Sequence, residues 1–351
     1  MSSLPCLQSK VFGGIDTHKD LHMAALVDET GAVIATHAFS TTRAGYRALL
    51  RWMTGFGQLQ RVGVEQTGSY GAGVVRHLAL ASVPVLEVTG TDKAERRTRG
   101  KDDTLDAITA ARAALEGKRI SLAKHRDGEI EALRVLRVAR QTAVKSRRSA
   151  LQLLHNMIIA APDEVRDQTR NLTRMQLIRT CAAWRPDVEA ASDPAVATRI
   201  ALKSVARRII DLNDEIANLD EPIERLVREL NPKLLDQIGI GVEIAGQLLV
   251  TAGDNPERLR SEAGFAMLCG VAPLPASSGI TQRHRLNRGG DRQANRALHM
   301  AAVSRLRLCP RTRAYATRRK AEGLSKREII RCLKRYIARE AYHLITAETG
   351  P

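Results

Sequence analysis

Short apolar runs alternate with helical periodicity through the first 120 residues of the chain. Three successive runs, at 11–16, 22–28 and 32–39, are typical of strands, and the turn at 29–31 joins the last two into a hairpin. Helical and strand patterns then alternate as far as a helix at 104–116, which gives the order βββαβαβα. This order predicts an α/β domain with a mixed sheet, whose first and fourth strands lie side by side and parallel at the centre.

Acidic residues stand at two strand ends of this sheet. Asp16 ends the first strand and Glu65 ends the fourth, so parallel neighbours would present both carboxylates at one edge, where the sites of open α/β sheets lie. Asp103 and Asp106 begin the last helix and share one face as an i, i+3 pair. Carboxylates packed together repel unless divalent cations neutralise them, and Mg²⁺ prefers oxygen ligands. The sequence therefore predicts a magnesium site.

Each acid also has a purely structural interpretation. Asp16 could begin a turn, and Asp102 or Asp103 could cap the helix N-terminus. An acid at each of two adjacent strand ends, combined with an i, i+3 pair, favours two-metal phosphoryl chemistry instead. His18 and His22 fall at a strand end and its continuation rather than on a helix face, so we expect neither to be a metal ligand.

The charge of the chain points to a polyanionic partner. The formal net charge is +17, and most of it lies in 283–339, a segment that contains 18 lysines and arginines but only three acids. A solvated surface is the plain interpretation, but so one-sided a tract favours phosphate binding. Only four Phe, five Tyr and two Trp occur in the chain, which disfavours single-strand binding by base stacking.

The middle of the chain has a longer period. Residues 202–230 keep a 4-3 apolar alternation, interrupted only by Pro222, which predicts a left-handed coiled coil. An alanine-rich seam at 132–157 could pair with it, and the stretch at 162–194 between them reads as a loop-rich insertion. The helices could pair within one chain or between copies, as a dimer or tetramer.

Residues 235–241 resemble the turn of a helix-hairpin-helix, whose glycines let backbone amides approach a phosphate; a plain helical hairpin fits equally well. Apolar runs stay well short of the ~18 residues that a spanning helix needs. The N-terminus has no signal-like apolar region, and the five cysteines are scattered. We expect a cytoplasmic protein without a membrane anchor.

Three acidic segments resemble the motifs of one transposase family. They are GIDTHKD at 14–20, VEQTGSY at 64–70 and KDDTLDA at 101–107, and they are similar to the D-E-D-D motifs of the one-ten family of insertion sequences, to which Piv-type DNA invertases are related. GVAP at 270–273, followed by Ser-Ser-Gly and by NRGGD at 287–291, is similar to the family's second, serine-bearing domain. The resemblance spans nearly the whole chain.

The resemblance implies three regions. Residues 1–123 would form a RuvC-like, ribonuclease H-like α/β domain with the D-E-D-D site, 124–231 a coiled-coil region with an insertion, and 232–351 an all-α, serine-bearing domain that binds DNA. It also implies a recombinase that moves its own element through a serine joined covalently to DNA, in a composite site with the acids of another subunit. A structured bridge RNA would pair with double-stranded donor and target DNA.

Residue by residue, the family's acids correspond to Asp16, Glu65, Asp103 and Asp106. Asp102 stands where the family usually has a small hydroxyl residue, so Asp102 remains an alternative third acid. Ser278 matches the nucleophile and Ser277 is the alternative; without the resemblance, this Ser-Ser-Gly run would read as a flexible loop. Four arginines are then phosphate clamps or merely solvated: Arg283, Arg285, Arg288 and Arg292.

Three other functions fit part of the sequence. A junction-resolving nuclease would cut DNA by hydrolysis with a metal-bound water and would leave no covalent adduct. A sugar-kinase-like ATPase also opens with a strand that carries Asp, but it has no use for the basic C-terminal tract. A nucleic-acid-binding regulator without catalysis would bind tightly and cut nothing in Mg²⁺.

Overall fold

The structure is a computed structural model that describes residues 9–88, 102–117, 120–255, 258–276 and 284–347. Three of the residues predicted to act in function, Ser277, Ser278 and Arg283, lie outside the described residues. The chain divides into two compact units. Of the described residues, those within 9–128 and 252–265 belong to unit 1, and those within 129–251 and 266–347 belong to unit 2. Within the described ranges, no helix combines the length and apolarity that crossing a membrane requires.

A six-stranded mixed sheet forms the centre of unit 1. Its strands are β1 (Lys10–Thr17), β2 (Leu21–Val27), β3 (Val33–Ser40), β4 (Gln58–Glu65), β5 (Val85–Val88) and β6 (Ile120–Leu122), in the spatial order β3-β2-β1-β4-β5-β6. β1 pairs in parallel with β4, and β4 in parallel with β5. The predicted central pair of first and fourth strands is therefore confirmed. β6 was not predicted, since three residues are too few to show a period.

Among the described residues, three helices accompany this sheet: α1 (Arg43–Gly55), α2 (Ala72–Leu80) and α3 (Asp103–Glu116). α1 begins at the N-cap Thr42, whose hydroxyl accepts a hydrogen bond from the Gly45 amide at 3.1 Å. The apolar faces of α1 and α2 pack against the sheet in one core, which includes Ile15, Leu49, Met53, Val62, Val64, Val74 and Leu78. This core fixes the strand ends that carry the predicted acids.

Glycines let α3 lie directly on the sheet. A Cβ on Gly14 of β1 would come within 2.1 Å of the Ala107 carbonyl oxygen, and one on Gly63 of β4 within 2.3 Å of the Ala110 carbonyl oxygen. Any side chain at these strand positions would clash with the helix backbone. Small residues on both sides therefore permit the close packing that brings the first turn of α3 to the end of β1.

From residue 129 onward the described part of the chain is mainly helical. The helices are α4 (Glu129–Ile159), α5 (Asp163–Thr169), α6 (Arg174–Ala183), α7 (Pro194–Leu230), α8 (Pro232–Leu235), α9 (Val242–Ala252), α10 (Glu262–Leu268), α11 (Arg292–Leu308), α12 (Pro310–Ala321) and α13 (Lys326–Ala347). A two-residue pair, β7 (Leu274–Pro275) and β8 (His284–Arg285), precedes α11. Pro222 lies inside α7, which continues through it.

The long helices α4 and α7 pack against each other. The predicted apolar face of α7 is buried in part: Leu202, Val205, Ile209, Ile216 and Ile223 are buried, and Leu212, Leu219, Leu226 and Leu230 are half-buried. The predicted seam of α4 is partly wrong. Ala143 and Ala150 are buried, but Ala132, Ala139, Ser146 and Leu153 are exposed. Leu133 and Leu154 are buried instead, together with the cation Arg137, which an apolar pattern does not reveal.

The stretch between these helices is also more ordered than predicted. α5 and α6 occupy much of the expected loop-rich insertion and bury Val165, Ile178 and Cys181 in a core shared with α4 and α7. Thr173 begins α6 with a capping box, in which the Gln176 side chain accepts a hydrogen bond from the Thr173 amide at 3.0 Å. The apolar spacing of α6 extends over too few turns to predict a helix, although the capping box is a start signal that the sequence carries.

One titratable group is enclosed in unit 1 away from solvent. His22 in β2 is fully buried, and its ring stacks on Tyr46 with 5.8 Å between centroids. Burial lowers the pKa of His22 from 6.5 to about 4 because the charged imidazolium is poorly solvated there. The neutral imidazole is therefore the form that the folded protein favours near pH 7.

We expect the free energy of unfolding to fall as the pH drops from about 6.5 to about 4. In this window the unfolded chain protonates His22 and the folded chain does not, so up to about 3 kcal/mol is lost, while the full contribution is present above pH 6.5. His22→Phe keeps a ring beside Tyr46 and should flatten this dependence in urea unfolding. The exposed His299, changed to Gln, is the control. An unchanged slope in His22→Phe would contradict the assignment.

Candidate metal centre

The carboxyl ends of β1 and β4 bring two acids to one edge of the sheet. Ile15 pairs with Val64 in the parallel ladder, so the next residues, Asp16 and Glu65, leave the sheet at the same level. Both are buried, with 5% and 4% of their surface exposed. The Thr17 hydroxyl donates to the Glu65 carbonyl oxygen at 3.1 Å and ties the two strand ends together. The two carboxylates thus lie at one edge of the sheet, as the strand pattern predicted.

The first turn of α3 supplies the other predicted acids. Asp102 is the N-cap, is exposed, and accepts a hydrogen bond from the Thr104 amide at 2.9 Å. Asp103 is half-buried, and Asp106, nearly one turn later, is buried with 9% exposed. Capping therefore explains Asp102, whereas Asp103 and Asp106 turn toward the strand ends.

His18 joins these acids. Its Nε2 lies 3.0 Å from Asp16 Oδ2 and 3.2 Å from Asp103 Oδ2. One ligand atom from each of these three residues lies within 4.8 Å of the others, close enough for all three to contact one cation. His18 therefore lies within the acidic cluster, and our expectation that it is not a metal ligand stays a prediction. His18 lies one residue beyond the end of β1 and two residues after Asp16, which its ring contacts.

The electrostatics of Asp16 fit a cation at this position. Burial is the main cause that raises the pKa of Asp16, and the charges of Asp106 and Asp103 raise it further. His18 acts in the opposite direction through its charge and a hydrogen bond. An ionised Asp16 is thus poorly compensated by the protein alone, and a divalent cation would supply the missing positive charge. The donor set fits a hard divalent ion through its carboxylate oxygens.

The arginine-rich tract at 283–292 carries the four predicted phosphate clamps, and its described residues lie in unit 2. Arg285 and Arg288 are exposed and line a common groove of about 480 Å³, and Arg292 is the exposed first residue of α11. Asp291 is the N-cap of α11, with its Oδ1 2.8 Å from the Gln293 amide. The acid inside this tract is therefore engaged in helix capping, and the arginines remain available to an anion.

Two comparisons with known families match separate parts of the chain. Residues 13–160 match the D-E-D-D model of IS110, described as a transposase, and residues 232–317 match a model described as a transposase of the IS116/IS110/IS902 family. The first match contains the acids and His18, and the second contains the serines and the arginines. Together the two models cover about two thirds of the chain.

Curated relatives agree over a shorter stretch. The chain is 32% identical over 127 residues to an uncharacterised 43.6 kDa protein of insertion element IS110 from Streptomyces coelicolor, covering 35% of this chain and 31% of that protein. It is 28% identical over 134 residues to an uncharacterised 42 kDa protein of insertion element IS900 from Mycobacterium paratuberculosis, covering 37% and 34%. The matches thus span about a third of each relative's length. Since both family models match in the order expected from the motifs, the chain belongs to the IS110 family of transposases.

Proposed function

We propose that this protein cleaves and rejoins DNA at specific sites to move its insertion element, through a covalent phosphoserine intermediate. The observation that carries the proposal is the convergence of Asp16, His18 and Asp103, with Glu65 and Asp106 buried nearby, in a chain of the IS110 family. A cluster of this kind suits phosphoryl transfer, in which charge must be stabilised on a phosphate.

Mg²⁺ is the proposed cofactor, and the residues that would hold it are Asp16, Glu65, Asp103 and Asp106. When bound, Mg²⁺ would neutralise these carboxylates and stabilise negative charge on the reacting phosphate. Imidazole nitrogen suits transition metals better than Mg²⁺. We therefore assign to His18 the task of orienting Asp16 and Asp103 through the contacts at 3.0 and 3.2 Å.

Ser278 is the proposed nucleophile, with Ser277 as the alternative, and it would act with the acids of another subunit. A bond forms between Ser278 Oγ and phosphorus while the P–O bond to the released strand breaks. The hydroxyl proton passes to a base at the carboxylate cluster, and the released strand oxygen takes up a proton. The arginines proposed to hold the DNA phosphates are Arg283, Arg285, Arg288 and Arg292.

The proposed assembly follows the three regions expected from the sequence. Residues 1–123 are the RuvC-like domain, 124–231 the coiled-coil region that joins copies into a dimer or tetramer, and 232–351 the serine-bearing domain with a helix-hairpin-helix element. The proposed nucleic-acid partners are double-stranded donor and target DNA and a structured guide RNA. The net charge of +17 supports polyanion binding.

Trapping the covalent intermediate tests this proposal. The protein is incubated with Mg²⁺, RNA transcribed from the element's non-coding flank, and a nicked junction duplex from which the released strand end diffuses away. We expect a protein–DNA adduct that survives denaturing electrophoresis and is absent in EDTA. Cleavage without an adduct would identify a hydrolytic nuclease, and binding without cleavage a regulator; either result would overturn the proposal.

A further inference from the structure

One long helix of unit 2 carries a one-sided set of charges outside the arginine-rich tract. Between residues 132 and 159, α4 has six cations and no acid: Arg134, Arg137, Arg140, Lys145, Arg147 and Arg148. A stripe along one side of α4 includes two of these cations and follows spacings of four and three: Arg137, Gln141, Val144, Arg148, Leu151 and His155. This stripe borders two grooves.

The two grooves are contiguous. The first, of about 660 Å³, is lined by α4, α9 and α11, and the second, of about 570 Å³, is lined by α4, α6 and Leu172. Both include Val144 and Arg148 in their linings. We call this continuous surface the α4 track. From residue 137 to residue 155 it is about 27 Å long at the rise of an α-helix, which is the length of about 8 base pairs of duplex.

Two pairs of cations in the α4 track differ in whether an acid neutralises them. Arg137 and Arg140 reach Glu243, the one acid among the described lining residues, with N–O distances of 3.4 and 2.8 Å. Lys145 and Arg148 are exposed, and in the part of the chain that the structure describes neither forms an ion pair. The first pair is thus committed to packing, and the second pair is available to an external anion.

Other helices also contribute exposed cations to the α4 track. Arg296 of α11 lines the first groove and Arg174 of α6 lines the second, next to Arg147, which donates to Asn213 at 3.1 Å. A polyanion in the track would therefore meet exposed positive charge from α4 and from a second helix in each groove. No Phe, Tyr or Trp occurs among the described lining residues, so stacking on unpaired bases has no platform.

We infer that the α4 track, whose lining includes none of the arginines of the arginine-rich tract, binds the phosphate backbone of duplex DNA. This inference rests on the proposed function, because DNA is the polyanion that a transposase must hold. The length of the track, its exposed cations and its lack of aromatic rings match a phosphodiester backbone followed over most of a helical turn. Binding here is independent of base sequence.

The double variant Lys145→Gln/Arg148→Gln tests the inference. Binding of the full-length protein to a 20-base-pair duplex is measured by fluorescence anisotropy in EDTA at several salt concentrations. Loss of two phosphate contacts should reduce the slope of log K against log salt by about 1.8 and weaken binding about 30-fold at 150 mM salt. Lys145→Arg/Arg148→Lys keeps the charges and should keep the slope.

The matched control is Arg207→Gln/Arg208→Gln, which removes the same charge from exposed positions of α7 outside both grooves. An equal loss of slope in both double variants would mean a general charge effect and would overturn the inference, as would no loss in the track variant. An RNA duplex of the same sequence is run in parallel, and a loss confined to RNA also refutes it. Adduct formation by the unaltered protein tests the proposed function separately.

Discussion

Asp16→Asn is expected to reduce Mg²⁺-dependent strand cleavage by at least about 100-fold, because loss of even an indirect partner of a metal site costs about 10–100-fold. Removing the negative charge of Asp16 should not reduce the stability of the metal-free protein. Ionised Asp16 is disfavoured by burial and by the charges of Asp106 and Asp103, so the metal-free variant should unfold at the same or a higher temperature than the unaltered protein. Junction cleavage and thermal unfolding, each with and without Mg²⁺, measure both effects.

The control is Asp28→Asn, the same change at the opposite end of the sheet. Asp28 Oδ1 accepts hydrogen bonds from the Thr30 and Ala32 amides at 2.8 and 3.0 Å, and an Asn oxygen can accept them as well. Cleavage should therefore survive in this variant. Mg²⁺ should raise the unfolding temperature of the control but not of Asp16→Asn. Full cleavage by Asp16→Asn would refute the metal-site hypothesis.

The sheet and most of its acidic edge could be predicted because they depend on local periods. Strand ends marked by Asp16 and Glu65 follow from the alternation of apolar runs, and the parallel pairing of β1 and β4 follows from chain order. The sequence also carries a signal for the close approach of α3 to the sheet, because Gly14 and Gly63 interrupt otherwise apolar strands. Their significance needed the helix position, which no local pattern specifies.

Other features depend on partners far away in sequence. Arg137 is buried on α4 because Glu243 and Gln247, more than 100 residues later, face its guanidinium. A prediction from apolar spacing leaves such a cation out of a packed face. It therefore chose positions 132, 136 and 153, whereas the buried residues are Leu133, Arg137 and Leu154. His18 was set aside for a similar reason: its contact with Asp103 joins two elements that are 85 residues apart.

Ser278→Ala is expected to eliminate the covalent protein–DNA adduct, with a loss on the order of 1,000-fold or more, because no other group can form the same bond to phosphorus. The acids and the DNA-binding cations remain in this variant, so binding to the junction duplex should be retained within about twofold. Adduct yield on the nicked junction and duplex affinity are measured on the same preparation.

Two further serine variants identify which hydroxyl reacts. Ser204→Ala, at an exposed position of α7, should form the adduct normally, and Ser277→Ala should retain it if Ser278 is the nucleophile. An adduct that persists in Ser278→Ala and disappears in Ser277→Ala would transfer the assignment to Ser277. Free cleaved DNA from Ser278→Ala, at the rate of the unaltered protein, would instead show that water attacks the phosphate. Since Asp16→Asn should suppress cleavage by either route, only the serine variants separate covalent transfer from hydrolysis.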